Sequence, residues 1–592
     1  MIHFVFNDQE SRYLFLKFDT REDELWLASN KKHINLTDHI NLVDRVCYLA
    51  NYNGLPYTQD FLFKYVQSTG QTIYYCAIGL WQEIFKFFKK NKVEFDGLLE
   101  NSNVFKRNLN HTFEEFKEIV DSWGLKLQPR PYQYESAYNI LQWKQSISEL
   151  ATRGGKTLIA YMIFRYCSEY FNTKRILMVV PSIDLVKQGY NDFNEYAEYF
   201  KTECIWSGGK LVESANLTIG TFQSLIKFLD KKSKKYNPHF FDGYDLVFVD
   251  ETHRATAEQM KTIISQPFMK DVKLAFGMTG TIPKEKTIEY YCLKSLLGAT
   301  IQKIKPKELM DAGYISPVKI HQVRLHYKDL DKSSENWIRC AEYAISDFVN
   351  DENGNRIELD NPEFQIKYEK RIPNGIEMIR NKIFMNGVDK EDALYALSRN
   401  SYIQAIKGLV AKSTNSNVLV IERMLTHFMN ERVNYLCDSI LPKCDKNTLI
   451  LGHHTTYLKY LVEEIKKKFP YRHIELITGE VSTKKRDKIK NVLKTYNDCI
   501  LVASFGVMST GITLSNLCFG VFIESFKSNT INMQSIGRGL GLSELKDEYT
   551  LYDIIDCFDP KILTNKIYLQ GIEKIKIYQE NKYNFDIINV RI

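Results

Sequence analysis

The chain has 592 residues, of which 26% are charged and 44% hydrophobic, and its formal net charge is +7. That length holds three or four domains and that composition is ordinary globular material, so a disordered chain is excluded. The charge surplus is a mild bias toward polyanions that does not by itself establish a nucleic-acid partner. The eleven cysteines form no CxxC pair, which argues against zinc.

Residues 1–125 open with short alternating runs, IHFVF and RYLFLKF, that predict strands. Leu80–Lys90 then reads as an amphipathic helix, with aromatics mostly on one face and lysines near its C-terminal end. A small α+β domain is expected here. Its helix offers lysines to phosphate, or simply packs on a small sheet with a solvated charged face. From 126 to 327 apolar strands alternate with helical patterns, at Ser146–Ala151, Arg175–Pro181, Leu217–Thr221, Tyr244–Asp250 and Lys273–Thr279. That is the rhythm of a parallel sheet. The stretch 328–405 breaks it with the polar, turn-rich DENGNRIELDNPEF and reads as an insertion or linker. The rhythm returns over 406–560, at Asn447–Gly452, His473–Thr478, Cys499–Ser504, Cys518–Ile523 and Tyr549–Ile555. Residues 561–592 predict a helix, Asn565–Tyr583, and a last strand, FDIINVRI. The expected fold is therefore α/β: two parallel-sheet domains, a small N-terminal α+β domain and an insertion between the larger units. No apolar run reaches membrane length, the start MIHFVFNDQE lacks a signal-peptide layout, and scattered thiols fit a reducing compartment, so a cytoplasmic protein is expected.

Two motifs carry the chemistry. Thr152-Arg153-Gly154-Gly155-Lys156-Thr157 follows a strand and precedes a helix. Two glycines let backbone N–H groups turn toward a phosphate, Lys156 reaches the terminal phosphates, and the Thr157 hydroxyl ligates Mg²⁺. The second motif, Asp250-Glu251-Thr252-His253, ends the apolar run YDLVFV and so sets carboxylates at the edge where α/β sheets bind ligands. Asp250 is expected to hold Mg²⁺, and Glu251 to polarise the attacking water. Together they predict a nucleotide hydrolase; a surface turn and a solvated acidic pair are the alternative.

Other segments gain meaning from their order. Arg130-Pro131-Tyr132-Gln133 precedes the loop, and the Gln133 amide can pair with adenine, unless Pro131 merely opens a helix. Pro181-Ser182, leading to Gln188, and the turn Thr221-Phe222-Gln223 each end a strand with short polar groups. They bind a nucleic-acid backbone or only cap helices. Thr279-Gly280-Thr281 couples the acidic motif to movement, or is a capped turn. In the second half, Thr478-Gly479, Arg486, Ser504 and Thr510-Gly511 surround strand ends, and Gln534-Ser535-Ile536-Gly537-Arg538-Gly539 lies on a helical stretch. Arg538 is expected to neutralise phosphate charge in the transition state, against the alternative of a surface salt bridge. Flanking glycines argue against an ordinary helix interior, where each costs about 1 kcal/mol.

In this order the motifs resemble a superfamily 2 DExH helicase: Gln133, ATRGGKT, VVPSIDLVKQ, IGTFQS, DETH, GMTGT, ITGE with Arg486, ASFGVMSTGI and QSIGRG, over roughly 126–325 and 445–556. VASFGVMSTGITLSNL and the tail IEKIKIYQENKYNFDIINV are similar to the UvsW-type recombination helicases of bacteriophages. The resemblance implies two RecA-like domains, ATP and Mg²⁺ as cofactors, and DNA as partner, branched, forked or at single-strand/duplex junctions. It implies Arg130, Gln133, Thr152 and Gly511 on the nucleotide, and His253 and Gln534 among the catalytic groups. It implies a motor working alone or loosely with replication and recombination proteins, in the host cytoplasm if phage-encoded. RNA remains open as a partner, and a restriction motor is the further relative, though no nuclease signature adjoins. One departure stands out. The family's last motif usually reads QxxGRxxR, and the second arginine position here is Gly541. Either Arg538 suffices, Lys527 substitutes, or hydrolysis is weak and the chain is an ATP-gated DNA-binding or annealing protein. Leu150 and Arg153 also replace small residues of the common loop.

Overall fold

The computed structural model describes 1–5, 13–30, short pieces between 35 and 57, most of 62–95, 106–205, 214–252, most of 262–327, 423, 426, 430–479, 481 and most of 489–592. The expected insertion lies outside the described residues, as do His253, Arg486, Thr510, Gly511 and Lys527. The chain forms two compact units, Met1–Lys305 and Pro306–Ile592.

The first unit begins with strands β1 (Ile2–Val5) and β2 (Tyr13–Phe18), helix α1 (Arg21–Asn30), strands β3 (Leu62–Val66) and β4 (Thr72–Ala77), and helix α2 (Trp81–Lys90). The strands form an antiparallel sheet in the order β1-β2-β4-β3. Leu14 and Leu16, two residues apart on β2, share one face and are fully buried with Cys76 of β4. Ile84 and Phe88 of α2 stand one turn apart and close that core.

The parallel sheet of this unit follows. Helix α3 (Phe113–Ser122) starts at a capping box in which Thr112 Oγ1 accepts from Glu115 N, while Glu115 accepts from Thr112 N. Then come α4 (Pro131–Leu141), β5 (Gln145–Leu150), α5 (Lys156–Tyr170), β6 (Ile176–Val180), α6 (Ile183–Tyr196), β7 (Thr202–Ile205), β8 (Leu217–Thr221), β9 (Leu246–Asp250), β10 (Leu274–Thr279), α7 (Ile288–Leu297) and β11 (Ala299–Ile304). Seven strands align in the order β7-β8-β6-β9-β10-β5-β11, all pairs parallel. Strands β6, β9 and β10 are nearly continuous apolar runs because both faces are covered. The edge strands β7 and β11 are half-exposed and mixed in polarity, and the sequence reading did not mark them.

The N-terminal sheet is not a free appendage. Tyr291 and Cys292 of α7 belong to the same apolar cluster as Leu80, Ile84 and Phe88, while Leu293 and Leu297 of that helix sit in the core of the parallel sheet. Gly79 makes the approach possible, since a Cβ there would overlap the Lys294 carbonyl oxygen and press on Gly298 Cα. Gly79→Ala is therefore expected to destabilise the first unit by about 1–3 kcal/mol, the usual range for overpacking. Gly506→Ala, where nothing lies within 4 Å, should stay within about 0.5 kcal/mol. Thermal melts of the two variants make the comparison.

The second unit contains β12 (Val318–His326), α8 (Asn430–Tyr435), β13 (Thr448–Gly452), α9 (Thr455–Lys468), β14 (Ile474–Ile477), β15 (Ile500–Ser504), β16 (Phe519–Phe522), α10 (Asn529–Gly539), β17 (Tyr549–Cys557), α11 (Lys566–Glu580) and β18 (Asn584–Arg591). Its seven-stranded sheet, also parallel at every pair, has the order β14-β15-β13-β16-β17-β12-β18. The sequence reading closed its first sheet domain at 327, but Val318–His326 pairs with β17 and β18 in the second sheet. Its alternating apolar pattern marks a strand but does not say which sheet it joins. A fully buried ion pair pins α11 to β17: Lys574 Nζ donates to Asp553, whose other oxygen accepts from Tyr578 OH at 2.8 Å. Burial lowers the Lys574 pKa, opposed by the Asp553 carboxylate.

Candidate nucleotide and nucleic-acid site

In the first unit, five successive turns meet at the carboxyl ends of adjacent strands. Between β5 and α5 the chain turns through Arg153, at φ 70°, and Gly155, at φ 73°, both left-handed. Gly155 occupies the N-cap of α5, which starts without a side-chain cap, so the helix presents its first-turn N–H groups to an anion. Lys156 Nζ lies 2.5 Å from Glu251 Oε1, and both side chains are mostly buried. Glu251 itself has φ 47°, a conformation that costs a non-glycine residue about 1–3 kcal/mol and persists where surrounding structure fixes it. Its N–H donates to Asp250 Oδ1 at 2.9 Å. The next residue, Thr252, is packed against Gly277 of β10, where a Cβ would collide with the Thr252 methyl and with Leu297.

The turn after β10 touches both motifs. Thr279 Oγ1 donates to the Thr281 carbonyl at 2.8 Å and accepts from Thr281 N at 3.2 Å, and it lies 3.5 Å from Glu251 Oε2. A Cβ on Gly280 would stand 3.2 Å from Thr152 Oγ1. The Thr279-Gly280-Thr281 turn thus stands beside the acidic motif and the phosphate loop. Gln133 is committed differently from the adenine reading: Oε1 accepts from Arg130 N at 2.8 Å, and Nε2 donates to the Gly154 carbonyl at 3.2 Å. Tyr132 OH, which the sequence reading passed over, donates to the same carbonyl at 2.7 Å. Pro131 does open α4. The first turn of α4 therefore braces the loop from outside.

Several expected backbone-binding residues serve as caps. Ser182 Oγ accepts from Leu185 N at the start of α6, next to Pro181. Thr221 Oγ1 accepts from Ser224 N at 3.2 Å; Gln223 is exposed. Gln188 donates to Asp192 one turn later at 3.4 Å. Burial pushes the Asp192 carboxyl up to about 6, with Gln188 and the Thr157 side chain hydrogen-bonding against the shift. Asp192 is a carboxylate beside Thr157 that motif spacing could not reveal, because it lies 35 residues on.

The second unit is built the same way at its own strand ends. Thr478 is buried after β14 with Gly479 exposed beside it, and Ser504 ends β15 opposite Gly452 of β13. Beyond β16 stands Glu524, almost wholly buried, which accepts from the N–H groups of His453 and His454 and from His454 Nδ1 at 2.7 Å. A carboxylate thus fills the start of α9. Burial, with Arg423 nearby, lowers the His453 pKa against the pull of Glu524. The sequence reading missed this Gly452-His453-His454 turn; the strand ILG ahead of it was its one signal. Gln534 and Arg538 lie on α10, capped by Ser528. Gly539, read as a sign against an ordinary helix interior, is the last residue of α10, where a Cβ would enter the Tyr549 ring. Gly541 accepts from Ser316 Oγ through its carbonyl at 3.0 Å.

No helix among the described residues is long and apolar enough to cross a membrane, and no metal-holding cluster of His, Cys, Asp and Glu occurs among them. Residues 126–284 match the family model of the type III restriction enzyme res subunit. The chain is 24% identical over 501 residues to the ATP-dependent DNA helicase uvsW of Enterobacteria phage T4, covering 81% of each protein. It is 23% identical over 351 residues to the DNA 3'-5' translocase XPB2 of Sulfurisphaera tokodaii, covering 58% of this chain and 73% of that protein. Among solved structures, T4 UvsW aligns over all of this chain and 99% of its own at 20% identity, with a TM-score of 0.37. The ordered motifs, set on the strand ends of two parallel sheets, are thus those that resemble superfamily 2 DExH helicases, and over most of its length the chain is similar to the UvsW-type enzymes.

Proposed function

We propose that the chain is an ATP-dependent DNA helicase or translocase acting on branched or forked DNA during replication, recombination and repair. The observation that carries this reading is the contact of Lys156 with Glu251, with Thr279 on the other carboxylate oxygen. The names of the T4 and Sulfurisphaera relatives support it. Thr157 and Asp250 suit Mg²⁺ as a hydroxyl and a carboxylate at adjoining turns, and the uncapped start of α5 suits a phosphate. A bound Mg²⁺ would supply charge neutralisation at the phosphates. Lys156 leaves Glu251 to take phosphate oxygens; Glu251, released, accepts a proton from the attacking water. Thr279 and Thr281, with His253, relay that exchange to the nucleic-acid side. Arg538 is assigned to charge neutralisation at the phosphates, Gln534 to the catalytic groups and Gly511 to the nucleotide. Pro181, Ser182, Gln188, Thr221, Gln223, Thr478, Gly479, Arg486, Ser504 and Thr510 are assigned to one strand's backbone; such contacts carry no base code.

Phosphate release and strand displacement across single-stranded, forked and four-way DNA test the reading, with matched RNA as competitor. Stimulation by forked DNA above single strands is the expected outcome. Hydrolysis unmoved by any DNA would sink it. Gly541, at the place of the second arginine, favours one alternative: an ATP-gated binding or annealing protein with weak hydrolysis, which would hold DNA tightly and turn over slowly. RNA that outcompetes DNA would reassign the substrate.

A further inference from the structure

The segment joining β8 to β9 carries four lysines in five residues, Lys231, Lys232, Lys234 and Lys235, all exposed. A charge run of this kind is usually a solvated loop; this one is built. Asp230 Oδ1 accepts from Lys232 N at 2.9 Å, and Ser233 Oγ accepts from Lys235 N at 3.1 Å. Ser233 N donates to the Asp230 carbonyl, Tyr236 N to the Ser233 carbonyl, and Asn237 N closes the turn on the Phe228 carbonyl at 3.0 Å. Below it Phe228 and Phe240 stack at 3.8 Å between ring centres, and Phe241 stacks on Phe268 at 5.1 Å.

The turn therefore holds four like charges close together on a rigid base. Neighbouring ammonium groups repel by about 0.5 kcal/mol per pair even in water. Among the described residues no carboxylate lies within ion-pair distance of any of the four. Asp230, the nearest in sequence, is spent on the backbone. The segment returns to the sheet at the amino end of the strands, where Asp242 accepts from Arg175 and Asp245 from Lys174 N. Asp250 and Glu251 stand at the other end of β9, about 15 Å away at the rise of a strand. The turn lies on the chain between Gln223, just past the carboxyl end of β8, and Asp245, at the amino end of β9, and it carries none of the residues assigned above.

We propose that this lysine turn is a second nucleic-acid contact that grips the phosphate backbone of a duplex arm of the DNA substrate. The proposal rests on the motor reading for its choice of polyanion, and duplex is favoured over single strand because it carries one charge per about 1.7 Å of axis. The test replaces all four residues in the full chain: Lys231→Ala, Lys232→Ala, Lys234→Ala and Lys235→Ala. Binding of blunt duplex DNA is followed from 50 to 200 mM salt, and phosphate release is followed with single-stranded DNA. Each lost contact lowers the slope of log affinity against log salt by about 0.9. The expected result is a slope smaller by about 2–4 and duplex binding at least tenfold weaker at low salt, with single-strand-stimulated turnover unchanged. An unchanged slope would overturn the proposal, as would an equal loss of single-strand-stimulated turnover. Lys156→Ala serves as control, with turnover lost and slope kept. If the wild type shows no DNA-stimulated turnover, the motor reading fails while the duplex slope still decides the lysine turn.

Discussion

Lys156→Ala is expected to lower DNA-stimulated ATP turnover by a factor on the order of 10³, the scale for removing one preorganised donor from developing charge, while the protein stays folded. Glu251→Gln should lose about 10²–10⁴ as well, since it removes the group proposed above as the general base, but its effect on binding should have the opposite sign. In the structure Glu251 holds Lys156 at 2.5 Å, so a phosphate must compete with a carboxylate for the same ammonium and approach that carboxylate's charge. The neutral amide removes both obstacles. Nucleotide affinity should therefore rise several-fold in Glu251→Gln and fall in Lys156→Ala. Single-turnover phosphate release and titration with a fluorescent nucleotide separate the four outcomes. Wild-type turnover in Lys156→Ala, or weaker binding in Glu251→Gln, would refute the assignment of this pair.

The second large effect concerns stability. Arg432 of α8 is fully buried, and its guanidinium donates to Asp556 Oδ1 at 2.8 Å and Oδ2 at 3.2 Å, to Tyr457 OH at 2.6 Å and to the Ile523 carbonyl. Tyr327 OH adds a bond to Asp556 at 2.5 Å. Arg432→Ala strips Asp556 of its counter-charge in a dry site, and breaking one side of such a pair costs about 3–5 kcal/mol. The double change Arg432→Met with Asp556→Leu should recover most of that loss, because neither charge is then stranded. Denaturant unfolding of both variants measures the difference. A single-variant cost below about 1 kcal/mol would mean that water reaches Asp556.

These two sites differ in how far they could be read from sequence. The phosphate loop and DETH are local, each written in consecutive residues after an apolar run, and the strands around them were legible for the same reason: Leu217–Thr221 has the same limits in the reading and in the structure, and Lys273–Thr279 differs by one residue. The tail helix and last strand were legible too. Arg432 was not, because its partner lies 124 residues away and nothing in ERVNYL distinguishes a buried guanidinium from a solvated one. The Glu524–His454 contact spans 70 residues and was hidden likewise. Edge strands escaped because half-exposed backbone carries no continuous apolar signal. Gly539 was noticed for its helix-breaking cost and does end α10, but the Tyr549 ring that demands it was not visible. The lysines of 231–235 were visible as letters, but only the Phe228–Phe240 stack shows that they are held.

Helix α7 packs on the parallel sheet through Leu293 and Leu297 and on the N-terminal sheet through Tyr291 and Cys292. In evolutionary terms it answers to two neighbours at once. Substitutions at Tyr291 are expected to travel with compensating changes at Leu80 or Ile84, and Gly79 to resist replacement throughout a lineage that keeps this arrangement. The same constraint limits domain shuffling: an N-terminal module cannot be exchanged for another unless the incoming one brings its own fit to a helix that begins a few residues after Thr281. The module and the Thr279-Gly280-Thr281 turn are thus expected to be inherited together.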